Sequence, residues 1–178
     1  MPSLSYDTRL LSQRLVLSPL LTKDMDELFY IVNDPVISKW IYFMEYPMTR
    51  DQAMTLCRQS EDGIEADREM FMKALHAYTG QTVGHIGLHR LPDTQGVAET
   101  GFWVGSAYRG NGYAGEMLTT MIDFAFRDLK LESVIATASP DNHPSYRLLK
   151  RCGFQHTGDN YIYHNNEYIP RQTFAIQK

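Results

Sequence analysis

Cysteine is scarce in this chain: Cys57 and Cys152 are the only two among 178 residues. Their spacing fits neither a metal knuckle nor a redox pair, so no metal site is expected. Two thiols suit a reducing compartment, and a disulfide between them stays open. Basic surplus is missing too. The formal charge is −4, which speaks against a non-specific grip on nucleic acid. No apolar run approaches the ~20 residues that a membrane span needs. The N-terminus has no cationic start followed by an apolar core, so no signal peptide is expected. These absences together predict a cytoplasmic protein with neither nucleic acid nor membrane as partner. Repeats, low-complexity runs and linkers are also lacking, so residues 1–178 read as one domain.

What remains is an ordinary globular composition, 43% apolar and 21% charged. That length buries a real core without covalent staples. Residues 1–8 are polar and read as loose. Leu15–Pro19 reads as a strand. Thr22 to Asn33 reads as a helix with Thr22 as its cap, stopped by Asn33-Asp34-Pro35. Val36 to Met48 is irregular and aromatic, with Trp40, Tyr42, Phe43 and Tyr46. Thr49 caps a second helix running to about Gln59, with Gly63 beyond its end. From Glu69 the character changes to strands. Met70–Tyr78 turns at Thr79-Gly80-Gln81 into Val83–Leu91. Pro92 to Gly96 then turns into Val97–Gly105. Three strand runs with short connections predict an antiparallel meander. In the third run Thr100, Phe102 and Val104 share one face, and Glu99, Gly101 and Trp103 the other.

The cleanest periodicity follows: Ala114, Met117, Leu118, Met121, Ile122, Ala125 and Leu129 recur at helical spacing. Ser133–Ala138 is a buried-type strand. A strand, helix and strand in that order predict a right-handed crossover, hence a strand parallel to Val97–Gly105. Asn142 or His143 caps a further helix with Pro144 in its first turn. Gly153-Phe154 closes it as a left-handed C-cap. Tyr161–His164, Asn165-Asn166 and Tyr168–Ile176 read as a last hairpin.

Between the third meander strand and the periodic helix lies Tyr108-Arg109-Gly110-Asn111-Gly112-Tyr113-Ala114-Gly115. Glycine lets the backbone approach a ligand closely. The helix that starts there turns unpaired N–H groups and the positive end of its dipole to the turn. This predicts an anion site for a phosphate or pyrophosphate, with Arg109 as an added cation. Gly110, Gly112 and Gly115 also satisfy GxGxxG. A dinucleotide fold would want an acidic residue about 20 positions on, at the end of the next strand, where Ile135 or Ala136 stands. A nicotinamide enzyme is the literal reading of that match and predicts NAD binding. A Walker loop is absent.

At these residues the chain resembles the GNAT superfamily of acyl-CoA-dependent N-acetyltransferases. The family signature, Arg/Gln-x-x-Gly-x-Gly/Ala, is matched by Arg109-Gly110-Asn111-Gly112-Tyr113-Ala114. Asn142-x-x-Ser145 and Lys150-Arg151-Cys152-Gly153-Phe154 follow in family order. Gly101-Phe102-Trp103 and Asn142-x-x-Ser145-x-Arg147 look most like the ribosomal-protein N-terminal acetyltransferase subfamily. The resemblance implies an α+β GNAT fold: a mixed, mostly antiparallel twisted sheet, split into a V by a bulged strand, with helices on both faces. It implies acetyl-CoA as co-substrate and transfer of its acetyl group to a primary amine, a protein N-terminus or a small molecule. Backbone amides of Arg109, Gly110, Asn111, Gly112, Tyr113 and Ala114 would hold the pyrophosphate. Phe102, Trp103 and Val104 would bind the pantetheine arm, with Asn142 and Ser145 nearby. The Val104 N–H would polarise the thioester carbonyl.

Attack requires a neutral amine, so a base must take its proton. Glu99 is the first candidate. His85 and His89 share a strand face and are left outside the site. Many relatives carry a tyrosine seven positions after the asparagine as proton donor to the leaving thiolate. Leu149 stands there instead, Ser145 matches the subfamily's serine, and Tyr146 is the runner-up. Lys150 and Arg151 could touch CoA phosphates, with a solvated helix face as the first reading. Trp40, Tyr42, Phe43 and Tyr46, or Tyr161, Tyr163 and Tyr168, could wall an amine pocket. The missing tyrosine leaves a second class open, a non-catalytic acyl-CoA sensor. The oligomeric expectation is a monomer or homodimer.

Overall fold

The computed structural model describes residues 4–90 and 96–178. The strands are β1 (Leu10–Leu11), β2 (Leu15–Pro19), β3 (Glu69–His76), β4 (Thr82–Arg90), β5 (Val97–Val104), β6 (Ser133–Ala138), β7 (Gln155–His164) and β8 (Glu167–Gln177). The helices are α1 (Met25–Val32), α2 (Pro35–Trp40), α3 (Arg50–Glu65), α4 (Tyr113–Arg127) and α5 (His143–Arg151). One eight-stranded sheet runs β1-β2-β3-β4-β5-β6-β8-β7. Its neighbours are antiparallel except β5 and β6, which are parallel as the crossover rule requires.

Strand alternation gives the sheet two apolar faces. One carries Leu15, Met72, Ile86 and Val134 against Met117, Leu118 and Met121 of α4 and Leu149 of α5. The other carries Phe71 and Trp103 against Leu28 and Val32 of α1 and Ala53 and Cys57 of α3. Each fully buried side chain of this size contributes about 1.5–3 kcal/mol of transfer free energy. Helices therefore cover both faces.

The β5–β6 ladder holds only three pairs, Val97–Ser133, Ala98–Val134 and Glu99–Ile135. Beyond Glu99 the two strands part. Meanwhile β5 stays in unbroken register with β4 as far as Val104, and β6 stays on β8 as far as Ala138. The V thus opens between two intact half-sheets. The register shifts in the sheet lie elsewhere, at Ala74/Leu75 and at His156/Gly158.

Local expectations hold where short-range chemistry decides. Thr49 accepts from the Gln52 N–H and Gln52 answers with a bond to the Thr49 N–H, a capping box. Asn142, and not His143, caps α5 by accepting from the Ser145 N–H. Gly153 and Phe154 donate to the carbonyls of Lys150 and Leu149, closing α5 in a Schellman motif. Asn165 and Asn166 both take positive φ, the type I′ geometry of a two-residue hairpin. That hairpin is longer than expected, since β7 already begins at Gln155.

Four expectations are corrected. Thr22 caps nothing: a 3-10 turn precedes α1, and Thr22 donates its N–H and hydroxyl to Glu61. Asp34-Pro35 stops α1 but also starts α2, with Asp34 accepting from the Val36 N–H, so the aromatic stretch is partly helical. The second helix passes Gln59 and contains Gly63, buried where a Cβ would meet Glu69. Residues 4–8 are tied down, with Leu4 in the core and its N–H on Asp67. Leu91 and the Pro92–Gln95 part of the expected turn lie outside the described residues.

Candidate active site

The glycine turn is held open from both ends. Gly110 and Gly112 have φ of +79° and +81°, conformations that L side chains rarely adopt. A Cβ at Gly110 would meet nothing within 4 Å. Among the described residues, the N–H groups of Gly110, Asn111, Gly112, Tyr113, Ala114 and Gly115 donate to no protein acceptor; the helical ladder starts with Glu116 on Gly112. Six unpaired amides at a helix start form an anion cradle.

Two ion pairs brace this cradle. Glu116 accepts from the Ser12 hydroxyl at 2.7 Å, the Arg14 N–H at 2.6 Å and the Arg14 Nε at 2.8 Å. Burial raises the Glu116 carboxyl, but those donors outweigh it and hold the group below its ordinary range. The same arginine donates Nη1 to the Asn111 carbonyl at 3.0 Å and lies over the Tyr113 ring. On the other side Arg109 donates Nε to the Val104 carbonyl at 3.1 Å and pairs with Asp34 at 2.5 Å. Arg109 is therefore a strut between β5, the turn and the α2 cap, and its Nε and Nη2 are already engaged.

The open edge of β5 runs from this cradle into the V. Gly105 donates to Val83 on β4. By alternation Trp103 and Gly101 also face β4, and Phe102 and Val104 turn their N–H groups away, toward the parted strand. A cavity of about 600 Å³ follows this edge. It is lined by ten of the eleven cofactor residues expected from sequence: Phe102, Trp103, Val104, Arg109, Gly110, Gly112, Tyr113, Ala114, Asn142 and Ser145. Asn111 does not line it; its side chain donates to the carbonyls of Tyr108 and Arg109 and shapes the turn. Arg151 lines it and Lys150 does not, so one of the two cations read as solvated faces the cavity.

A second cavity, about 620 Å³, meets the first at Trp40, Ile41, Phe102, Trp103, Asn142 and Ser145. Glu99 lines it, accepting from the Thr137 hydroxyl at 3.0 Å. His89 is the direct cross-strand partner of Glu99 and lines it too. Its Nδ1 lies 2.5 Å from Glu69 Oε2. That hydrogen bond holds the Glu69 carboxyl below its ordinary range, against the opposing effect of burial. His85 lines neither cavity. Burial first, then Lys73, drives its pKa down to about 3, so it is neutral beneath Trp103.

Ser145 is half-buried at the junction of the cavities. Tyr146 lines neither cavity; its ring packs edge-on against Phe174. The runner-up proton donor is thus an exposed ring resting on β8, away from both cavities. Of the aromatic candidates, Trp40, Tyr42 and Phe43 line the second cavity, and Tyr46, Tyr161, Tyr163 and Tyr168 line neither. Thr137 and Arg171 are polar residues of this cavity that sequence reasoning missed, and His89 is one that it weighed and left outside the site. The pairing of His89 with Glu99 was available from the meander's register; no local pattern marks the other two.

A parted parallel pair, an edge strand ending at a six-amide cradle and two joined cavities define the acyl-CoA transferase class. Residues 14–155 match the family described as acetyltransferase (GNAT) domain, and the chain belongs to that family. Membership makes it an acetyl-CoA-dependent N-acetyltransferase. It is 29% identical over 152 residues to the uncharacterized N-acetyltransferase p20 of Bacillus licheniformis, covering 84% of this chain and 83% of that protein. Its fold is shared with the ribosomal-protein-S5-alanine acetyltransferase of Vibrio fischeri, with TM-score 0.81, 14% identity and coverage of 96% and 97%. It is also shared with the spermidine N-acetyltransferase of Vibrio cholerae in complex with CoA and spermine, with TM-score 0.78, 20% identity and coverage of 93% and 96%.

Proposed function

We propose that the chain transfers an acetyl group from acetyl-CoA to a primary amine by direct attack in a ternary complex. One observation carries this reading: the β5–β6 ladder opens after Glu99, beside the unpaired amides of Gly110 to Gly115. The cradle suits a pyrophosphate. The Phe102 and Val104 edge suits an extended chain of amides. Acetyl-CoA brings an acyl group on a thioester to the junction of the cavities. There the Val104 N–H donates to the carbonyl oxygen under attack. Glu99, fixed by Thr137, takes the proton that the acceptor ammonium must lose, directly or through water. The amine lone pair forms the C–N bond as the C–S bond breaks. Ser145 gives a proton to the departing sulfur and is reprotonated, through water, by the second proton that the acylated nitrogen loses.

Trp40, Tyr42 and Phe43 wall the acceptor side. Two free thiols and no helix able to cross a membrane among the described residues support a cytoplasmic setting for one acyltransferase domain. The test is calorimetry with CoA alongside thiol release from acetyl-CoA, over a panel of amines and N-terminal peptides. Tight CoA binding and turnover of some amine are expected. CoA binding without turnover on any acceptor would leave a sensor, and NAD binding without CoA binding would overturn the reading altogether.

A further inference from the structure

Arg171 stands on β8 and lines the second cavity. It is only 8% exposed. A guanidinium that deep is costly without an anionic partner. Nη2 donates to the Thr137 carbonyl at 3.3 Å. Nε is sealed from solvent with no acceptor. Among the described residues nothing accepts from Nη1, and no carboxylate forms an ion pair with Arg171. The Tyr42 ring lies 5.8 Å from the guanidinium carbon. Burial, opposed by Tyr42 and Glu99, pulls the group below arginine's ordinary pKa, yet a guanidinium stays charged at neutral pH.

Glu99, the carboxylate that lines this cavity, is close by. Thr137 touches both groups, its hydroxyl donating to Glu99 and its carbonyl accepting from Arg171. One residue thus spaces an anion from a cation across the acceptor cavity. The single bond to Thr137 uses one of five guanidinium donors, which a neutral side chain could supply. Nη1 and the second N–H of Nη2 are left for a ligand, and a carboxylate matches that two-pronged geometry.

We propose that the acceptor is a zwitterion, an amine bearing a carboxylate a few bonds away, of the α-amino acid class. Arg171 receives the carboxylate and Glu99 the ammonium. A polyamine would instead set a second cation against the guanidinium, and a peptide N-terminus has an amide where the carboxylate should lie. This assignment rests on the transferase reading above.

The test measures thiol release from acetyl-CoA with L-amino acids, each against the amine made by removing its carboxylate and against its methyl ester. The expected preference for one or more free amino acids over both analogues is at least ~30-fold in kcat/KM, the loss that follows when a buried cation is left without its partner. Arg171→Gln is expected to raise KM for that amino acid by a similar factor and to erase the preference, and Arg171→Lys to restore part of it. CoA binding by calorimetry checks that the variants are folded. Equal turnover of amino acids and their analogues, or turnover of peptides or polyamines alone, would overturn the assignment while leaving the transferase reading intact. CoA binding with no turnover of any acceptor would overturn both.

Discussion

Replacing Gly112 with Asp separates the cradle's geometry from its charge. The position has φ +81°, and the nearest atom to a built Cβ is Arg14 Nη2 at 3.6 Å. A side chain therefore meets backbone strain but no wall. Left-handed geometry costs an L-residue about 1–2 kcal/mol, and Asn and Asp tolerate it best. That is a minor part of the ~5–15 kcal/mol that holds a domain folded, so the variant should still fold. Its carboxylate would stand among six amides that offer themselves to a pyrophosphate. At ~5 Å and an effective dielectric of ~20, one added negative charge repels another by about 3 kcal/mol, more than a ~100-fold loss in affinity. Gly112→Asn has nearly the same shape and strain without the charge. Titration calorimetry with CoA should show the Asp variant at least ~100-fold weaker than the Asn variant. Added salt should narrow the gap. Equal affinities in the two variants would refute the cradle as the pyrophosphate site.

Glu99→Gln should lower kcat by ~10²-fold or more with CoA affinity unchanged, as loss of a general base requires; an unaltered rate would move that role to His89. Asp34→Asn keeps the α2 cap and removes the charge facing Arg109, so a double-mutant cycle with Arg109→Gln in thermal melts should give a coupling of about 1 kcal/mol or less that fades with salt. His85 sets a pH dependence of stability. The unfolded imidazole gains a proton below about 6.5 and the folded one only near pH 3. Its contribution is complete above 6.5 and falls by about 1.4 kcal/mol per unit as pH drops toward 3, a slope that chemical unfolding should find missing in His85→Gln. Burial, then Asp24 and Glu61, pushes the Cys57 thiol up to about 12, so alkylation of the native protein at pH 8 should mark Cys152 and spare Cys57.

The shape of the glycine turn and of the helix ends beside it was legible because its instructions are local. The two glycines, the cap at Asn142 and the Schellman closure at Gly153-Phe154 each act within a few residues of their own position. The struts behind that turn were not, and neither was the acceptor half. Arg14 and Glu116 lie 102 positions apart, and Asp34 and Arg109 lie 75 apart. Arg109 announced a free cation only because its partner is invisible in the chain. Asp34-Pro35 was ambiguous in itself, since the same pair ends one helix and begins the next. Arg171 sits in a strand of mixed polarity next to a proline, and only the sheet order, with β8 inserted between β6 and β7, brings it beside Thr137. Leu149 shows the reverse case: the missing tyrosine was plain to read, and the fold fills its place with a buried aliphatic side chain.

Most sheets are weakest at their rims, where the last strand has no neighbour. This one carries a seam in its middle, between Thr100 and Val104 on one side and Ala136 and Ala138 on the other. An acyl donor laid in that seam completes the sheet from outside the polypeptide, and at a hundred times its dissociation constant adds about 2.7 kcal/mol to the folded state. With the donor placed there as proposed, resistance to unfolding would rise with the concentration of the enzyme's own co-substrate.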